Sequence, residues 1–119
     1  DRMKLTEKQA KEIAIKVLND IEWTFDTKKG ARPLFYSIDE QIEEVKSQKN
    51  HPRFQEYVDN LFIYWCVMFD FPEDDGWEGR NVMRVLIKDD TGEPYEVGHR
   101  QWKGKVKKDS KGKYYKENY

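Results

Sequence analysis

The eight-residue run Phe62-Ile63-Tyr64-Trp65-Cys66-Val67-Met68-Phe69 carries no charge, and it constrains the fold more than any other part of the chain. A strand turns successive side chains to opposite faces, and here both faces are apolar. Such a segment has to be covered on one side by a helix and on the other by further side chains or a partner. The dense apolar stretch from Leu61 to Phe71 is about half the roughly 20 residues that a bilayer span requires. It predicts a buried central strand and no membrane insertion.

The cover is supplied near the N-terminus. Thr6-Glu7-Lys8-Gln9 fits a capping box, with Leu5 and Ala10 placed for a hydrophobic staple. Ala10, Ile13, Ala14, Val17, Leu18 and Ile21 then follow the spacing of one apolar helical face, predicting a helix over Glu7–Asn19. Ile21–Phe25 alternates apolar and polar residues and reads as a first strand with Trp23 and Phe25 inward, followed by a turn at Lys28-Lys29-Gly30. Pro33–Tyr36 reads as a short second strand. Ser37, with Glu40 three residues on, caps a helix that runs to about Ser47, and Asn50-His51-Pro52 breaks it. Phe54, Tyr57, Val58 and Leu61 add another turn or two.

After the central strand, Val82–Lys88 forms the next strand with Arg84 and Lys88 on its wetter face, and Asp89-Asp90-Thr91-Gly92 is a hairpin signal. Tyr95-Glu96-Val97 returns, and Trp102–Tyr115 adds a last edge strand whose alternate lysines discourage stray strand pairing. Residues 110–119 are expected to fray. The resulting fold class is α+β: one domain over residues 1–119, an N-terminal helix packed on an antiparallel sheet, and an additional helical stretch near residues 38–60. Ile13, Val17, Trp65, Val67 and Phe69 are expected to share one core.

Composition narrows the function. Charged residues make up 38% of the 119, yet four Trp, seven Tyr and six Phe supply the large apolar area that disordered chains lack. A net charge of −1 gives no global attraction to nucleic acid or anionic membrane. Cys66 stands alone, so no internal disulfide and no zinc-finger or CxxC chemistry can form, which points to a reducing, cytoplasmic setting. Asp1-Arg2-Met3-Lys4 carries no apolar signal-peptide region.

No catalytic or cofactor signature emerges. The acidic segment Asp70, Glu73, Asp74, Asp75 and Glu78 suggests calcium, but counting back from Gly76 puts Phe71 at the first EF-hand ligand position and the closing Glu is missing. A solvated loop and an acidic surface for a basic partner remain. Glu43/Glu44 and Asp89/Asp90 are adjacent carboxylates with no neighbouring His and no apolar frame to split their pKa values, so helix-surface and turn roles are expected. His51 and His99 belong to no ligand pattern, and Cys66 sits where a buried small hydrophobe is expected. The glycines open no phosphate-binding loop. No cofactor, metal or enzyme activity is expected.

Charge is segregated nonetheless. From His99 to Tyr119, eight Lys or Arg face only Asp109 and Glu117, an excess of +6 interleaved with Trp102, Tyr114 and Tyr115. Such a segment suits an acidic protein, single-stranded nucleic acid or a plain edge strand. Asp70, Glu73, Asp74, Asp75 and Glu78 at one patch and Lys107 and Lys108 at the other are the candidate partner-steering residues. Trp77 and Trp102 beside them are candidate interface anchors, or else caps on the sheet edge.

Leu5-Thr6-Glu7-Lys8-Gln9-Ala10-Lys11-Glu12-Ile13-Ala14, Tyr64-Trp65-Cys66-Val67-Met68-Phe69 and Asp89-Asp90-Thr91-Gly92-Glu93-Pro94 together resemble small bacterial PepSY-like and cystatin-like domains, among them immunity proteins of polymorphic toxin systems. The resemblance covers about two thirds of the chain; the stretch Ser37–Asn60 and the basic C-terminal segment lie outside it. It implies a non-enzymatic binding protein that neutralises a cognate toxin by covering its active surface. The matching positions determine fold, so it assigns no functional residue. A nucleic-acid-binding accessory domain is the rival reading.

Overall fold

The computed structural model describes residues 3–72 and 82–119. Helix α1 spans Glu7–Asp20, and its start is the capping box read from the sequence: the Gln9 N–H donates to Thr6 Oγ1 at 3.1 Å and the Thr6 N–H to Gln9 Oε1 at 2.9 Å. Its end overturns the expected strand at Ile21–Phe25. The Trp23 N–H donates to the Leu18 carbonyl at 2.9 Å and the Glu22 N–H to the Asn19 carbonyl at 3.2 Å, while Glu22 sits at φ 63°. This is a Schellman termination with a left-handed glutamate in the position glycine usually fills. The alternation of residues 21–25 is real, but the closing turn takes up the amides of Ile21, Glu22 and Trp23; Trp23 and Phe25 still pack, partly buried, against the core.

Strand β1 (Arg32–Tyr36) leads into α2 (Ile38–Val45), capped by Ser37, then a 3-10 turn (Lys46–Gln48) and α3 (Phe54–Asp59). The remaining strands are β2 (Tyr64–Asp70), β3 (Val82–Lys88), β4 (Pro94–His99), β5 (Trp102–Lys108) and β6 (Tyr114–Asn118). All six form one antiparallel meander in chain order. This is the α+β architecture expected, with a helix on an antiparallel sheet and additional helical turns between β1 and β2.

Helix α1 lies across one face of the sheet and touches β1, β2, β3, β4 and β6. Its small residues Ala10 and Ala14 let the backbone approach, and with Val17 and Leu18 they meet Trp65, Val67, Phe69, Met83, Val85, Ile87 and Val97 in one buried cluster. Ile13 packs against that cluster from a half-buried position. Burial of this kind contributes roughly 25 cal/mol per Å² of apolar surface, which makes it the main term holding helix to sheet.

The C-terminal segment corrects a second expectation. Instead of one edge strand and a frayed tail, residues 102–118 form the β5–β6 hairpin, and Val106 and Tyr114 join the core. The hairpin is latched to α1: the Tyr114 N–H donates to Asp20 Oδ2 at 3.0 Å, and Lys16 Nζ reaches both Asp20 at 2.5 Å and the Gly112 carbonyl at 3.2 Å. Lys16, and then the Tyr114 N–H, hold the Asp20 carboxyl below its ordinary pKa.

Candidate binding surface

With α1 on one face, the register fixes what the other face presents. One cross-strand row reads Leu34, Cys66, Leu86, Glu96, Lys105, Glu117, and its neighbours read Tyr36, Tyr64, Lys88 and Arg32, Met68, Arg84, Gly98, Lys103. The rows are apolar and aromatic at the β1–β2 side and basic at the β5 side. From β3 onward Arg84, Lys88, Lys103, Lys105 and Lys107 stand against Glu96 and Glu117, while Arg32 is neutralised by Asp70.

An aromatic belt crosses one end of this face. Tyr36 and Tyr64 are stacked at 4.9 Å, Phe62 meets Tyr64 edge-on at 6.2 Å and Tyr95 at 5.3 Å, and Lys88 Nζ lies 5.5 Å over the Phe62 ring. The stretch carrying α2 and α3 is fastened there by Gln41, whose buried Nε2 donates to the Tyr36 and Phe62 carbonyls at 3.2 and 2.8 Å. The Tyr64 phenol is pushed up to about 12, by burial first and then by neighbouring Tyr36, Cys66, Glu44 and Tyr57. Burial also raises the Tyr95 phenol. Leu34, Phe62, Tyr115 and Tyr119 are exposed large apolar side chains.

Of the residues singled out from the sequence, the described ones, Asp70, Trp102, Lys107 and Lys108, do not gather into one site. Glu73, Asp74, Asp75, Trp77 and Glu78 lie outside the described residues. Asp70 is bound to Arg32 across β1–β2 at 2.5 Å, which holds its carboxyl below the usual range. Trp102 stands on the α1 side, 5.7 Å from Trp23 and 6.1 Å from His99, with Lys116 Nζ above its ring. The ring is partly buried against the core there. Lys107 and Lys108 point to opposite faces: the first shares the open face with Lys105, the second leans over Tyr114 at 5.1 Å.

Sequence reasoning missed the belt of Tyr36, Phe62, Tyr64 and Tyr95, although the two-sided apolar character of β2 was its signal. It also missed Asp89. Expected as a turn residue without an apolar frame, Asp89 is 2% exposed and accepts three N–H groups, from Lys4 at 2.7 Å, Leu5 at 3.0 Å and Trp65 Nε1 at 2.8 Å. A buried carboxylate so occupied braces the N-terminal segment against β2. His99 is partly buried among Trp23, Phe71 and Trp102, and among the described residues its buried Nδ1 has no hydrogen-bond partner. Among the described residues, no three His, Cys, Asp or Glu side chains are grouped to hold a metal, and no helix is long and apolar enough to cross a membrane.

Comparisons of the chain with protein-family models, with curated proteins and with solved structures find no match.

Proposed function

We propose that this chain is a non-catalytic protein-binding domain, an immunity or inhibitor protein that neutralises a toxin, and that it engages its partner through the open face of the sheet. The observation that carries this reading is the side-by-side placement of an apolar and aromatic field, exposed Leu34 and Phe62 with half-buried Tyr64 and Leu86, and a row of lysines, on a face that α1 leaves uncovered. Aromatic anchors beside steering charges are the composition of a protein interface: the anchors set the dissociation rate, and the charges speed encounter. The resemblance of the helix and central-strand motifs to immunity domains points to a toxin as the partner class.

A photo-reactive amino acid at Leu34, with a control at exposed Glu12 on the solvent side of α1, tests this in the cells that encode the chain. A single protein adduct at position 34 and none at position 12 is expected, and co-expression should lift growth arrest by the product of the adjacent gene. Phe62, Tyr95 and Tyr119 beside lysines on an open sheet also suit single strands of nucleic acid. A nuclease-sensitive adduct at position 34 would establish that reading and refute the first.

A further inference from the structure

The β4–β5 ladder is shorter than the strands that build it. Its last pair is Glu96 with Lys105, so Val106, Lys107 and Lys108 pair only with β6. On the β4 side, Pro94 pairs with Ile87 of β3, and Tyr95 falls in a bulge where the register shifts. Bulges of this kind re-aim side chains and end strand pairing. The sheet forks there around a cleft of about 720 Å³, which Lys88, Tyr95, Lys105, Lys107, Lys108 and Tyr119 line. That is the volume of several side chains.

Two features define what the cleft takes. The first is charge: four lysines line it against Glu93 alone, and among the described residues none of the four has a carboxylate within ion-pair distance. Three rest over rings instead, Lys88 on Phe62, Lys105 on Tyr119 at 5.8 Å and Lys108 on Tyr114. An arriving anion would relieve their mutual repulsion. The second is the backbone: groups of Val106–Lys108 that point away from β6 have no ladder partner, so an extended chain can add to them as a strand does. A peptide brings both N–H and C=O groups to such an edge, whereas a nucleic-acid backbone brings acceptors only. Lys105 and Lys107 stand two residues apart on one side of β5, about 7 Å, which is the repeat of alternate side chains in an extended peptide.

We propose that the fork between β4 and β5 receives an extended acidic segment of the partner protein, its carboxylates meeting Lys88, Lys105 and Lys107 and an apolar side chain lying on Tyr95 and Tyr119. This assignment rests on the protein-binding reading above. The experiment is an amide-resolved NMR titration of the full chain with a capped peptide of alternating glutamate and leucine, run beside its lysine–leucine counterpart and an oligothymidylate of equal length. Saturable shifts at Tyr95, Lys105 and Lys107 with the acidic peptide alone are expected, weakened roughly tenfold by Lys105→Glu with Lys107→Glu, the loss suited to partly exposed ion pairs turned repulsive. Unchanged Trp65 and Val85 signals in that variant confirm its fold, and Lys107→Gln, at an exposed position, should weaken binding in the same direction. Shifts at Leu34, Tyr64 and Leu86 without the fork sink the cleft assignment and leave the protein-binding reading standing. Tighter binding of the oligothymidylate overturns both. Silence with all three ligands overturns the cleft assignment, while the cross-linking at Leu34 still decides the function.

Discussion

Removing the Asp89 carboxylate tests most directly how the N-terminal segment, the β3–β4 turn and the core are joined. Its three donors would not suffer equally from the loss. Trp65 is 1% exposed, so its indole N–H would be stranded without water, at a cost of about 1–3 kcal/mol. The Lys4 and Leu5 N–H groups are only part-buried and recover some hydration, about 1 kcal/mol each. Asp89→Ala should therefore cost about 3–5 kcal/mol, a large share of the stability of a domain this size. Asp89→Asn keeps one acceptor oxygen for Trp65 and Leu5 but sets its amide N–H₂ against the Lys4 N–H, so about 1–2 kcal/mol is expected. Urea unfolding measures both through the midpoint at constant slope. In a double-mutant cycle with Trp65→Phe, which deletes the indole donor, the two changes should couple by about 1–2 kcal/mol. An Asp89→Ala cost below about 1 kcal/mol, or no coupling to position 65, would refute the account of Asp89 as the brace.

Three further outcomes turn on single positions or on pH. Glu22→Gly should stabilise by about 0.5–1 kcal/mol, seen as a raised Tm, because it removes the strain of a left-handed non-glycine residue at an exposed helix end. Gly104→Ala should destabilise by about 1–3 kcal/mol and shift Trp102 fluorescence, since a Cβ there would meet the Trp102 ring at 2.5 Å and the Glu117 carbonyl at 2.7 Å. Acid should act in two stages. The pKa of His99 is lowered first by burial and then by Arg100, Arg84 and Lys116, so its contribution is present above the unfolded value of 6.5 and lost as pH falls through the folded one. The lowered carboxyls of Asp20 and Asp70 lose theirs only below 3.8. Stability measured against pH should show both steps, and His99→Phe should erase the first alone.

The parts of this fold legible in the chain alone are those whose causes are local. Caps at Thr6 and Ser37 lie within three residues of the groups they satisfy, the apolar stripe of α1 repeats every helical turn, and the Asp89–Gly92 turn carries its own backbone chemistry. The strands β1, β2, β3 and β4 came with them, and so did the pairing of α1 with Trp65, Val67 and Phe69. Where two local patterns competed, the one that satisfied the backbone won, and tertiary contacts then fixed its position. Residues 21–25 alternate like a strand, yet the Schellman turn claims the amides of Glu22 and Trp23, and the lysine-rich end closes into a hairpin on its own Asp109–Lys113 turn, which Asp20 and Lys16 hold against α1. The candidate site depended on such choices almost entirely. Charge counted along the chain groups Lys107 with Lys108, whereas the pleat sends them to opposite faces, and only the premature end of the β4–β5 ladder brings Lys88, Lys105 and Lys107 to one cleft. Asp89 makes the same point inside the core: its partners are 85, 84 and 24 residues away, and no window on the sequence holds a hydrogen bond of that reach.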